Sequence, residues 1–107
     1  MAHKASRKVR VTPRARDDLK HIGRYTERTW GKVQRDRYLK SIDARCHWLA
    51  ENPRLGKHRA DICAGYYSFP EGRHVIFYMI GSNTIDIIGI PHKEMDIISY
   101  FSENRHD

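Results

Sequence analysis

Two adjacent pairs of side chains, Arg73-His74 and His92-Lys93, carry groups that could move protons or hold phosphate, and Tyr100 follows them. Metal-independent cleavage of a phosphodiester requires a general base, a general acid and a cation beside the scissile phosphate. His74 or His92 could act as base or acid, Arg73 and Lys93 as clamps, and Tyr100 as a proton donor. Without catalysis, the same residues form a basic rim that recognises nucleic acid or a protein, or that is only solvated. No carboxylate and no His–His pair stands at a spacing diagnostic of catalysis. Other chemistries have less support. The histidines His3, His21, His47, His58, His74, His92 and His106 are scattered singly, without the paired spacing of zinc sites. Ser68 lies in a strand pattern and not on a Gly-x-Ser-x-Gly elbow. No glycine-rich loop opens a helix, so no nucleotide fingerprint is present. Neither a metal nor a cofactor is expected.

The elements that must position these groups centre on residues 65–80. Tyr66, Tyr67 and Phe69 are strand formers, and Pro70-Glu71-Gly72 breaks the run with the residues a tight turn needs. The segment 73–80 is then almost wholly apolar, as suits a central strand. Its polar entrance is Arg73-His74, where the turn meets the strand. A further strand is expected over 84–90, ended by Pro91, which cannot donate to a ladder. Antiparallel neighbours place the start of one strand beside the end of the next, so Arg73, His74, His92 and Lys93 are expected to gather at one sheet edge.

Upstream, Val9-Arg10-Val11 alternates as a short strand. Thr12-Pro13 is a helix start, with Thr as cap and Pro at the first turn. Ala15, Leu19, Ile22 and Thr26 recur at helical spacing, which predicts a helix over 13–29 broken at Trp30-Gly31. Leu39, Ile42, Cys46 and Leu49 predict a second helix over 32–51, stopped by Asn52-Pro53. The short joint makes the two an antiparallel hairpin. Residues 53–61 read as a loop and 62–69 as a strand. The segment 1–8 reads as a frayed end. The tail 94–107, with Met95, Ile97, Ile98, Tyr100 and Phe101, reads as a short helix or an extended arm that packs on the open sheet face or meets a partner. The expected fold is one α+β domain over 1–107: an N-terminal strand, an antiparallel two-helix hairpin, then a three-stranded antiparallel meander, with the helices on one sheet face.

Composition narrows the partners. The chain has 107 residues, 39% hydrophobic and 31% charged, which is enough for a core without disulfides. The formal net charge is +7, favouring nucleic acid, acidic protein segments or anionic surfaces. Cys46 and Cys63 match no redox or zinc motif and read as core residues in a reducing compartment. No apolar stretch reaches membrane-spanning length and no signal peptide is evident, so a cytoplasmic location is expected.

Across nearly its whole length the chain also resembles a known family. The segments are Leu19-Lys20-His21-Ile22, Tyr25-Thr26 and Trp30-Gly31, then Gln34 with Tyr38-Leu39, then Leu49-Ala50-Glu51-Asn52-Pro53 and Gly56. They continue with Gly65-Tyr66, Ser68-Phe69-Pro70, Gly72-Arg73-His74-Val75-Ile76-Phe77-Tyr78, Ile90, His92-Lys93 and Met95-Asp96. In this order they resemble the ParE-type toxins of the RelE/ParE toxin–antitoxin superfamily. The resemblance implies the fold just described, a neighbouring ParD-like antitoxin that neutralises the toxin in a hetero-oligomer, and growth arrest. It further implies DNA gyrase as target, through non-enzymatic trapping of its cleaved-DNA complex. The ribonuclease branch of the superfamily, which cuts messenger RNA on the ribosome with basic sheet residues and a C-terminal Tyr, is the alternative. On this reading Arg73, His74, His92, Lys93, Met95, Ile98 and Phe101 are candidate target-binding residues. An acidic, disordered antitoxin segment would fold into a groove beside the basic hairpin. Its candidate contacts are Leu19, Ile22, Tyr25, Trp30, Tyr38 and Trp48. Leu19 and Ile22 also lie on the core stripe, and Trp30 at the joint is the best candidate for an exposed anchor.

Overall fold

The computed structural model describes residues 7–102, so most of the segment 1–8 and the last part of the tail lie outside the described residues. Strand β1 (Lys8–Val11) leads through Thr12 into helix α1 (Pro13–Trp30). The Thr12 hydroxyl accepts the Ala15 N–H at 3.4 Å and donates to the Ile87 carbonyl at 2.8 Å, so one residue caps the helix and ties it to the sheet. Gly31, at φ 94°, makes the joint to helix α2 (Lys32–Glu51). A one-residue joint can turn this sharply only with a positive φ, which glycine adopts freely. A 3-10 turn (Pro53–Leu55) and a two-residue strand β2 (Lys57–His58) occupy part of the segment expected to be loop. Strands β3 (Tyr66–Glu71), β4 (His74–Ile80) and β5 (Thr84–Gly89) form the meander, and a short helix α3 (Ile97–Ser102) lies in the tail.

The sheet has five strands in the order β1-β5-β4-β3-β2. It is mixed and not wholly antiparallel: β1 runs parallel to β5, with Val9 opposite Ile85 and Val11 opposite Ile87. The helical hairpin is the crossover that a parallel pair requires. Between β4 and β5 the register slips at Phe77/Tyr78, with Phe77 opposite Gly89 and Tyr78 opposite Ile87, so Ile88 is the extra residue of a bulge.

The core lies between the hairpin and one sheet face. Ala15, Ile22, Ile42, Cys46 and Leu49 descend from the helices onto Ile76, Tyr78, Ile85, Ile87 and Ile90. Full burial of each large aliphatic side chain contributes about 1.5–3 kcal/mol. Buried Tyr78 keeps its hydroxyl satisfied by donating to the Pro53 carbonyl at 2.7 Å and accepting the Gly56 N–H at 3.1 Å. Cys46 is buried as expected, and its thiol is pushed up to about 12 chiefly by desolvation. Cys63 is exposed, against expectation. The strand holding it in the sequence pattern begins only at Tyr66, and the backbone of 59–65 is a turn tied by Arg59 and Cys63 carbonyls.

On the opposite sheet face the tail packs through Phe101. Phe77, fully buried, meets Phe101 edge-on at 5.1 Å and the Arg59 guanidinium at 5.4 Å. Phe101 also packs on Tyr66 and Tyr100, with Arg14 over its ring at 5.0 Å. No helix among the described residues is long and apolar enough to cross a membrane.

Candidate functional site

A cleft of about 530 Å³ opens where the middle and end of α1, the start of α2, the β3–β4 turn and the segment after β5 converge. Helix α1 contributes Ile22 and Thr26 to its floor and exposed Tyr25 and Trp30 to its wall, and Tyr38 on α2 closes the side toward the turn. From the sheet come Gly72, Arg73, His74, Ile90, Pro91, His92 and Met95.

The meeting of turn and post-β5 segment is a consequence of sheet pairing. His74 and His92 form an antiparallel bridge, Val75 N–H donates to the Pro91 carbonyl at 2.9 Å, and Lys93 N–H donates to the Arg73 carbonyl at 2.9 Å. Thus Arg73, His74, His92 and Lys93 do gather at one sheet end. The two imidazoles stand edge to face at 5.2 Å.

The polar centre of the site is Tyr38. Its hydroxyl lies 2.6 Å from His74 Nδ1, accepts the Arg73 N–H at 3.0 Å and donates to the Glu71 carbonyl at 3.1 Å. Gly72, at φ 58°, lets the Tyr38 ring lie against the turn: a Cβ there would stand 2.5 Å from the ring. Glu71 is further held by Arg45 Nε at 2.9 Å. Desolvation raises the Tyr38 phenol. Burial, and then the nearby His92, hold His74 down at about 4, so it is uncharged at neutral pH. Arg73 and Lys93, both exposed, place two cationic side chains at the turn.

Tyr100 lies elsewhere. Its hydroxyl bonds to Asp18 Oδ2, the oxygen that also accepts the Ile90 N–H at 2.8 Å. Desolvation and Asp18 push the Tyr100 phenol well above its ordinary value. Its proton is held on a carboxylate instead of being offered to the cleft.

Of the antitoxin candidates, Ile22, Tyr25, Trp30 and Tyr38 line the cleft, with Tyr25 and Trp30 56% and 59% exposed. Leu19 packs against the core, and Trp48 packs on Phe69 at 5.2 Å with the Arg45 guanidinium over its ring. Of the target candidates, Arg73, His74, His92 and Met95 line the same cleft, and Lys93 is bonded at its rim. Ile98 is exposed on α3, and Phe101 belongs to the aromatic seam on the other sheet face. Sequence reasoning did not single out Asp18, Gln34, Gly72 or Pro91 for the site. Asp18 carries no local signal of this role, because its partners lie more than 70 positions away. Among the described residues, no group of three or more His, Cys, Asp or Glu could hold a metal ion.

A family model described as the ParE toxin of the type II toxin–antitoxin system parDE matches residues 9–97. The chain belongs to the ParE toxin family. Toxin ParE1 of Caulobacter vibrioides is 34% identical over 87 residues, covering 81% of this chain and 90% of that protein. Toxin ParE1 of Mycobacterium tuberculosis is 33% identical over 88 residues, with the same coverage of both chains. Among solved structures, the chromosomal ParDE system from P. aeruginosa superposes with a TM-score of 0.71 at 16% identity, covering 83% of this chain and 98% of that one. The RelBE2 toxin–antitoxin complex from Mycobacterium tuberculosis gives a TM-score of 0.65 at 25% identity, covering 83% and 100%. As a ParE-family member of the ParE/RelE superfamily, the protein is a type II toxin–antitoxin toxin with the α+β fold of its neighbours.

Proposed function

We propose that this toxin arrests growth by binding DNA gyrase without catalysis, and that a cognate ParD-like antitoxin neutralises it by laying an acidic, initially disordered segment into the cleft. One observation carries the reading: exposed Tyr25 and Trp30 face the basic turn of Arg73 across a single cleft, in a chain of net charge +7. Aromatic anchors supply desolvated contact area, and the cations steer an acidic partner. These features suit a polypeptide partner, and the family membership supports a toxin whose partner is an antitoxin. A cytoplasmic location follows from the same reading.

The ribonuclease alternative has one observation in its favour, the pairing of His74 with His92 beside Arg73 and Lys93. Against it, His74 is too weak a base near neutral pH, and the Tyr100 proton is committed to Asp18. A supercoiling assay with purified gyrase separates the readings. Inhibition by the toxin, relieved by the antitoxin, is expected. Full supercoiling in the presence of toxin, with ribosome-dependent messenger cleavage that His74 or Tyr100 variants abolish, would replace it.

A further inference from the structure

The Tyr38 hydroxyl has one proton and two lone pairs. The Arg73 N–H fills one lone pair, and the proton goes to the Glu71 carbonyl. The second lone pair meets His74 Nδ1 at 2.6 Å. A proton on Nδ1 completes the set. With the proton of the hydroxyl turned to Nδ1 instead, the contact to Glu71 would have no hydrogen in it. Only the first arrangement gives all three neighbours a bond.

We infer that Tyr38 holds His74 as its Nδ1–H tautomer, so that the imidazole offers an unprotonated Nε2 to the cleft and recognises a hydrogen-bond donor on the partner. His74 lines the cleft, and Nε2 is not among the sealed, unpartnered side-chain atoms of the described residues. His92 is set the opposite way. Its Nδ1 accepts the Glu94 N–H at 3.1 Å, so neutral His92 carries its proton on Nε2. The two rings, 5.2 Å apart, thus supply one acceptor and one donor. A peptide group, or an Asn or Gln carboxamide, presents the complementary donor and acceptor within a few ångströms. The carboxylates of the same segment are left to Arg73 and Lys93. This deepens the reading of the cleft as a polypeptide site and rests on it: the histidines engage amides and the flanking cations engage acids. The low proton affinity of His74 agrees with a neutral ring.

Long-range proton–nitrogen NMR of the 15N-labelled protein at neutral pH reads the tautomers directly. His74 protonated on Nδ1 and His92 on Nε2 are the expected result. Tyr38→Phe keeps the ring and removes the acceptor, so His74 should pass to the Nε2–H form that free imidazole favours, with His92 unchanged. His74 protonated on Nε2 or on both nitrogens in the wild-type protein overturns the inference, as does an unchanged His74 in a folded Tyr38→Phe. If that variant does not fold, the wild-type spectrum decides alone. Adding the antitoxin then tests the partner. Binding that shifts His74 Nε2 supports the amide contact, and binding that leaves it unmoved overturns it. An antitoxin that shifts no resonance at all instead defeats the functional reading and leaves the tautomers standing.

Discussion

The two faces of the sheet use aromatic side chains in opposite ways. In the cleft, Tyr25 and Trp30 are more than half exposed, and Tyr38 spends its hydroxyl on the turn that carries Arg73. On the far face, Phe77, Phe101, Tyr66 and Tyr100 pack edge to face on one another under Arg14 and Arg59. The difference is where the free surface lies. The seam's rings satisfy each other, and its cations lie over them. The cleft's rings and cations have room for another molecule. The seam reads as stability, the cleft as recognition.

Phe77→Ala should test the seam most severely. Removing a fully buried phenyl costs about 3–5 kcal/mol, measured as a lowered urea midpoint, and a loss below 1 kcal/mol would show that the tail does not seal that face. Asp18→Asn comes next, because Asp18 joins the two regions through the Ile90 N–H and the Tyr100 hydroxyl. Loss of these charge-assisted bonds should cost about 1.5–3 kcal/mol in the same assay. Trp30→Ala sharpens the contrast: stability should stay within about 0.5 kcal/mol while antitoxin affinity falls by about 2 kcal/mol in calorimetric titration. Equal affinity would remove Trp30 from recognition.

A separate test of the cleft and the core uses pH. His74 binds its proton less tightly folded, at about 4, than unfolded, near its ordinary 6.5. Between those values the unfolded chain takes up the proton first, so stability rises with pH across this window and is lost as pH falls through it. His74→Gln should flatten that part of the stability profile. At the alkaline end the sign reverses. Tyr78, raised to about 12 by desolvation, keeps its proton in the fold after the unfolded chain has released it, so stability should fall as pH rises above 10.

Much of the fold was legible because its signals are local. Thr12-Pro13, the apolar stripes and Asn52-Pro53 mark helices whose observed spans are Pro13–Trp30 and Lys32–Glu51. The parallel pairing of β1 with β5 was not legible, since a strand pattern names no neighbour across a gap of more than 70 residues. The same limit applies at the site. Turn and strand-end chemistry brought Arg73, His74, His92 and Lys93 together in advance. The Tyr38–His74 contact spans 36 positions and the Tyr100–Asp18 contact 82, and neither leaves a periodic trace. Antitoxin and target candidates therefore look like separate sets in the sequence, although members of both line one cleft.

Hydrogen–deuterium exchange of the toxin with and without its antitoxin tests the division of labour between the faces most directly. Slowed exchange in the segments 18–38 and 72–75, with Ile97–Ser102 unaffected, is the predicted result. Protection confined to α3 and the strands beneath it, with the cleft segments unchanged, would contradict the account.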